Sequence, residues 1–156
     1  MSKEAVLAEL KGQLGKETHL SDWFPVEQAR INQFADATGD HQWIHVDVER
    51  AKRESPYKAP IAHGFLTLSL IPMLTKAVGQ DQPRYPGVKL SVNYGLNKVR
   101  FPAPVKVGSR VRSRSVLKEV GEVPGGLQMV REVTIEIDGG DKPACVAETV
   151  SRLYFE

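Results

Sequence analysis

The chain has almost no excess of charge, a single cysteine, and no apolar run long enough to cross a bilayer. Its 21 lysines and arginines against 19 aspartates and glutamates leave a formal net charge of +2. That is too small by itself to point to a nucleic-acid partner. Cys145 has no second cysteine to pair with, which excludes an internal disulfide and fits a reducing, cytoplasmic setting. The most apolar stretch, Phe65 to Leu74, falls well short of the roughly 18–20 apolar residues that a membrane helix needs. Low-complexity segments and internal repeats are missing as well. The amino-terminal SKEAVLAELKGQLG alternates charged and apolar residues, the pattern of an amphipathic helix and not of a secretion signal. Composition (41% hydrophobic, 26% charged, 156 residues) predicts one ordered domain over residues 1–156.

What is present organises itself around residues 61–78, IAHGFLTLSLIPMLTKAV. Apolar side chains there point in every direction a helix offers, which predicts a helix buried on most sides. Pro72 should kink it or end its regular part. Upstream, Ser2 is placed to cap a first helix that Gly12 or Gly15 would end. Val26, Ala29, Ile31, Phe34 and Ala35 have helical spacing up to Gly39. The polar bend DHQWIH follows, and Asp47 then reads as the N-cap of the helix VERAKRE. After a loop over residues 80–87, four strands are expected at about 88–101, 110–120, 127–137 and 144–155. Arg110, Arg112 and Arg114 alternate with smaller residues, as on a wet sheet face. VPGG and IDGGDKP read as hairpin turns, and Gly95 as a bend or bulge. The fold class is therefore α+β, an antiparallel sheet curled round a central hydrophobic helix. Open sheet edges of this kind are commonly covered by a second copy, so a homodimer or higher oligomer is expected.

Asp40 and His45 carry the proton chemistry, five residues apart across a bend that can turn both into one cleft. Carboxylate and imidazole together can position a water, remove one proton and return another. Apolar neighbours such as Trp43 are candidates for shifting Asp40. At Ala62-His63-Gly64, backbone N–H groups at the start of the hydrophobic helix have no intrahelical partner and can meet a carbonyl oxygen as charge develops on it. Plainer accounts stand beside these. Asp40 after Gly39 reads equally well as a turn residue. A lone His45 is more often a surface or satisfied core histidine than a catalyst. His41 fits either role, His63 fits a bond to the preceding loop, and the arginine run fits a solvated face. Helical His41/His45 metal spacing is opposed by the glycine and polar bend, and Cys145 is alone, so no metal is expected.

The run Phe34-x3-Thr38-Gly39-Asp40-x3-Ile44-His45, with Ala59-Pro60-Ile61-Ala62-His63-Gly64-Phe65 and Leu96 to Gly108 in the same order, resembles the MaoC-like dehydratases, the (R)-specific enoyl-CoA hydratases. GDHQWIHVD and PIAHGFLTLSL resemble the NodN-like branch most. The resemblance implies a hotdog fold dimerised through its sheets. It implies that Asp40 and His45 activate water for addition to a trans-2-enoyl thioester and that the Gly64 N–H faces the thioester oxygen. Ser69 falls where some relatives keep a serine near the site. Gln42 and Trp43 stand where many active hydratases have Asn and Pro, a departure that bears on substrate choice.

The expected function is reversible hydration of a 2-enoyl-CoA to an (R)-3-hydroxyacyl-CoA, with no cofactor and with an acyl-CoA or acyl carrier protein thioester as partner. No nucleic acid and no membrane enter this reading. The acyl chain is expected along the hydrophobic helix, and the carrier's phosphates on the basic strand face or Arg100. A thioesterase and a non-catalytic acyl-thioester-binding protein of the same fold are the alternatives.

Overall fold

The computed structural model describes residues 2–77 and 84–155. Helix α1 (Lys3–Gly12) starts where Ser2 predicts it. The Ser2 hydroxyl accepts the Ala5 N–H at 3.2 Å, and Val6 and Leu10, one turn apart, are fully buried. Two short strands follow, β1 (Glu17–Leu20) and β2 (Phe24–Pro25), and then α2 (Gln28–Thr38). Gly39 ends α2 in the left-handed region (φ 82°), which a side chain would strain. The expected polar bend is partly helical. The His45 N–H reaches Gln42 O and the Asp47 N–H reaches Trp43 O, closing one turn, α3 (Trp43–Val46). Asp47 then caps α4 (Val48–Glu54) by accepting the Arg50 N–H.

The hydrophobic stretch is two pieces, α5 (Gly64–Ser69) and α6 (Ile71–Leu74), joined at Leu70. Pro72 falls at the start of α6, where its missing N–H leaves no helical bond unmade. Leu66, Leu70 and Leu74, at four-residue spacing, are buried, while Phe65 is 69% and Met73 38% exposed. This corrects the expectation of a helix covered on most sides, because the sheet of one chain wraps only one of its faces. Val78, Gly79 and the first part of the predicted loop, residues 80–83, lie outside the described residues.

Four long strands complete the chain: β3 (Leu90–Arg100), β4 (Arg110–Val123), β5 (Gly126–Ile137) and β6 (Cys145–Tyr154). The sheet runs β1-β4-β5-β6-β3, antiparallel throughout, with β2 also beside β4. Both glycine-rich segments are hairpin connections, and the β3–β6 register slips between Asn93 and Gly95, the bulge that Gly95 predicts. A curled antiparallel sheet packed on a central helix is the hotdog fold.

Period-two alternation sorts the two faces. On the outer face Arg112 and Arg114 pair with Glu136 at 3.3 and 2.8 Å, Arg114 also with Glu17 at 2.7 Å, and Arg110 with Asp138. The inner face holds two apolar clusters. One joins Leu66, Leu70 and Leu74 to Val111, Ile135, Cys145 and Ala147. The other joins Val6 and Leu10 to Leu117, Leu127, Met129 and Leu153. Cys145 is fully buried, and burial pushes its thiol up to about 11. Between the clusters the three central strands place Ser115, Arg131, Thr149 and Ser151, with Arg131 directly opposite Thr149.

Candidate active site

Asp40 leaves the glycine cap of α2, and its Oδ1 accepts the Gln42 N–H at 3.3 Å. His45 rides on the short helix α3, and its ring is buried at 7% exposure. His45 Nδ1 lies 2.7 Å from the carbonyl oxygen of Ile61. A carbonyl only accepts, so Nδ1 holds the proton and Nε2 of the neutral ring keeps a lone pair. The same reasoning applies to His63, whose Nε2 lies 2.9 Å from Asp40 O and therefore donates to it. His63 Nδ1 is buried without a hydrogen-bond partner among the described residues. The two imidazoles stack at 3.9 Å and 25°, with Phe34 tilted against His63 at 4.9 Å. Gln28 Nε2 donates to His45 O at 2.8 Å and ties α3 to α2. One oxygen of Asp40 and one nitrogen of each histidine lie within 4.8 Å of one another.

Burial lowers the His45 pKa below 6.5, and the adjacent His63 acts in the same direction, against the bond to Ile61 and the charge of Asp40. The ring is thus neutral at pH 7. The unfolded chain takes up this proton below about pH 6.5, the folded chain only at lower pH. Between those two values the unfolded state holds more protons, so the stability His45 contributes is complete above about 6.5 and falls as pH drops through the window. An NMR titration of the His45 ring protons should give a midpoint below 6.5, and a midpoint at or above it would refute the assignment.

The same trio offers three metal-ligand types. The two rings are stacked nearly parallel, at 3.9 Å and 25°, and Asp40 is exposed beside them. Each histidine has one nitrogen committed to a backbone carbonyl, which leaves His45 Nε2 and His63 Nδ1 as the nitrogens open to a further partner.

Gly64 is the first residue of α5, beside His63, and its N–H has no hydrogen-bond partner among the described residues. A Cβ there would stand 3.1 Å from the Phe101 ring, so the glycine lets that ring close over the helix start. Ser69 shares no hydrogen bond with Asp40 or His45 among the described residues. It is exposed, donates to Phe65 O at 2.7 Å, and lines a groove between α5–α6 and β3. Gln42 is exposed and serves the site through its backbone. Trp43 carries the Arg50 guanidinium on its ring at 4.2 Å, and Asp40 is solvent-exposed. The expected shielding of Asp40 by an apolar neighbour is therefore corrected. His41 pairs with Asp36 at 2.9 Å on the surface, away from His45. His63 was legible only as a residue bonding to a loop; that the loop is Asp40 itself, and that its ring stacks on His45, needed the segment before α5 to return to α3.

Residues 9–138 match the family described as the MaoC like domain. The chain is 51% identical over 147 residues to 3-hydroxyacyl-thioester dehydratase Z of Mycobacterium tuberculosis, covering 94% of each. It is 44% identical over 155 residues to Nodulation protein N of Rhizobium leguminosarum bv. viciae, covering 98% of this chain and 94% of that one. Its backbone is similar to that of the (R)-hydratase from A. caviae involved in PHA biosynthesis, with a TM-score of 0.69 and 23% identity over 88% of this chain and 94% of the other. At that identity the structural likeness speaks for the fold.

Proposed function

Since the chain belongs to the MaoC-like dehydratase family, we propose that it is a hydratase/dehydratase of acyl thioesters that adds water reversibly to a trans-2-enoyl thioester to give the (R)-3-hydroxyacyl thioester. The observation that carries this reading is the meeting of the Asp40 carboxylate with a neutral His45 whose free lone pair is on Nε2. In hydration, His45 Nε2 takes a proton from a water that Asp40 orients, while the water oxygen bonds to C3. Electron density moves to the thioester oxygen, where the free N–H of Gly64 stabilises it. The imidazolium, beside the Asp40 carboxylate, then returns its proton to C2. One water is consumed, no electrons change hands, and the reverse sequence dehydrates. His63 is a positioning residue in this scheme: it holds the Asp40 backbone and stacks on His45.

The carrier's phosphates are assigned to the side of Arg100, which is exposed next to Phe101. The arginines of the outer face are already paired with Glu17, Glu136 and Asp138. A homodimer is assigned to the β3 edge. Leu90, Tyr94 and Leu96 there are 55%, 59% and 46% exposed, and Phe65 packs edge-on against Phe101 nearby. Such an unpaired apolar edge is covered in stable proteins.

The test is to mix the protein with crotonyl-CoA and a longer trans-2-enoyl-CoA and follow loss of the conjugated thioester absorbance. Turnover to the (R)-alcohol is expected. Release of free CoA without hydration would replace this reading with a thioesterase. Tight acyl-CoA binding without turnover would replace it with a binding module.

A further inference from the structure

The polar belt that divides the core has no place in the chemistry above. On the inner face of β5 the alternating row reads Leu127, Met129, Arg131, Val133, Ile135, so a single cation interrupts an apolar stripe. Arg131, Ser115, Thr149 and Ser151 face a cavity of about 290 Å³ beside α6 that also receives His19 and Arg84. No carboxylate is among the described residues that line it. Arg131 hydrogen-bonds Tyr85, itself 6% exposed, and forms no ion pair among the described residues. Burial lowers its pKa, and the neighbouring Arg84 adds to that. Ser115 is 2% exposed, and its Oγ and the Nδ1 of His19 are buried without hydrogen-bond partners among the described residues. Cations without counter-charges and polar atoms without partners are costly to bury. An arriving anion would meet all of these needs at once.

The cavity adjoins the groove that Ser69 lines. Ile71, Pro72, Asn93 and Thr149 belong to the walls of both. From Gly64 to Thr75, at the cavity wall, the chain advances roughly 16 Å at helical rise. A long acyl chain whose thioester lies at Gly64 and which follows α5 and α6 ends in the cavity. We propose that this cavity is an anion subsite for the far end of the substrate, and that the preferred substrates are long-chain enoyl thioesters ending in a carboxylate. The inference rests on the hydratase reading for the position of the thioester. The phosphates of the carrier are the other source of anionic charge. They sit at the opposite end of the thioester, so the two sources separate by experiment.

The experiment compares kcat/KM for two trans-2-enoyl-CoA series of matched length, one ending in a methyl and one in a carboxylate, with the wild type and with Arg131→Gln. At the longer lengths the wild type should favour the carboxylate series at least tenfold. Arg131→Gln should abolish that preference while leaving methyl-terminated substrates nearly unchanged. An equal loss on both series would place a carrier phosphate, or a purely structural role, at Arg131 and overturn the proposal. So would a wild-type preference for methyl ends at every length. Arg84→Gln, at the cavity wall, gives the same reading if Arg131→Gln does not fold. Calorimetric titration with saturated acyl-CoAs of the two types reads the preference even without turnover. A failed hydratase assay is thereby kept apart from a failed subsite.

Discussion

Asp40→Asn is expected to lower kcat for enoyl-CoA hydration by about 10²–10⁴-fold, the range for loss of a positioned proton-transfer group, with little change in KM. The asparagine keeps the volume and the acceptor for the Gln42 N–H, so what it removes is the charge that supports the imidazolium. His45→Gln should fall in the same range, because it removes the Nε2 lone pair that receives the water proton. The two residues act on one water, so their effects should not add. The double variant is expected to be no slower than the slower single variant. Steady-state kinetics on the three proteins, with folding checked by circular dichroism, decides this. Hydration by Asp40→Asn at the wild-type rate would remove the carboxylate from the mechanism.

The largest effect on stability is expected at a glycine far from the site. Gly126 opens β5 directly after the β4–β5 turn and pairs with Tyr154 of β6. A Cβ there would fall inside van der Waals contact of the Leu153 carbonyl oxygen, with the Tyr154 ring close by. Backbone cannot rotate away as a side chain can, so two central strands would have to separate locally. Gly126→Ala should cost about 3 kcal/mol, the upper part of the overpacking range, read as a fall in denaturation midpoint at unchanged m-value. Gly125 is the control. It has φ 77° but open space around it apart from Tyr154 at 3.8 Å, so Gly125→Ala should lose only the ~1–2 kcal/mol of left-handed strain. Equal losses at the two positions would show that the turn conformation, and not the strand contact, governs this hairpin.

Much of this architecture could be read from local patterns. The alternation at Arg110, Arg112 and Arg114, the glycine-rich turns and the caps at Ser2, Gly39 and Asp47 are set by residues within a few positions of each other, and each appears where its spacing places it. The closeness of Asp40 and His45 was legible for the same reason, since one bend holds both. Features that depend on distant strands were not. Nothing near His63 in sequence announces a stack on His45, because that contact is made by the segment before α5 returning to α3. The exposure of Phe65 was hidden because apolar periodicity reports the need for cover and not which chain supplies it. Arg131 stands in phase with Met129 and Val133, so period-two alternation already puts it in the inner row. What needs the β4–β5–β6 register is that Ser115, Thr149 and Ser151 gather beside it.

Cys145 gives the chain a clock for its own opening. The thiol lies at the start of β6 inside the cluster that packs α5 and α6 against the sheet, and burial suppresses its thiolate. An alkylating reagent reacts with it only when β6 parts from its neighbours and the sulfur reaches water at an ordinary pKa. Being the one cysteine of the sequence, it makes each labelled molecule count a single kind of event. Mass spectrometry of the intact protein after timed alkylation therefore measures how often the half of the core that holds α5 and α6 comes apart under native conditions, with no engineered probe and no denaturant.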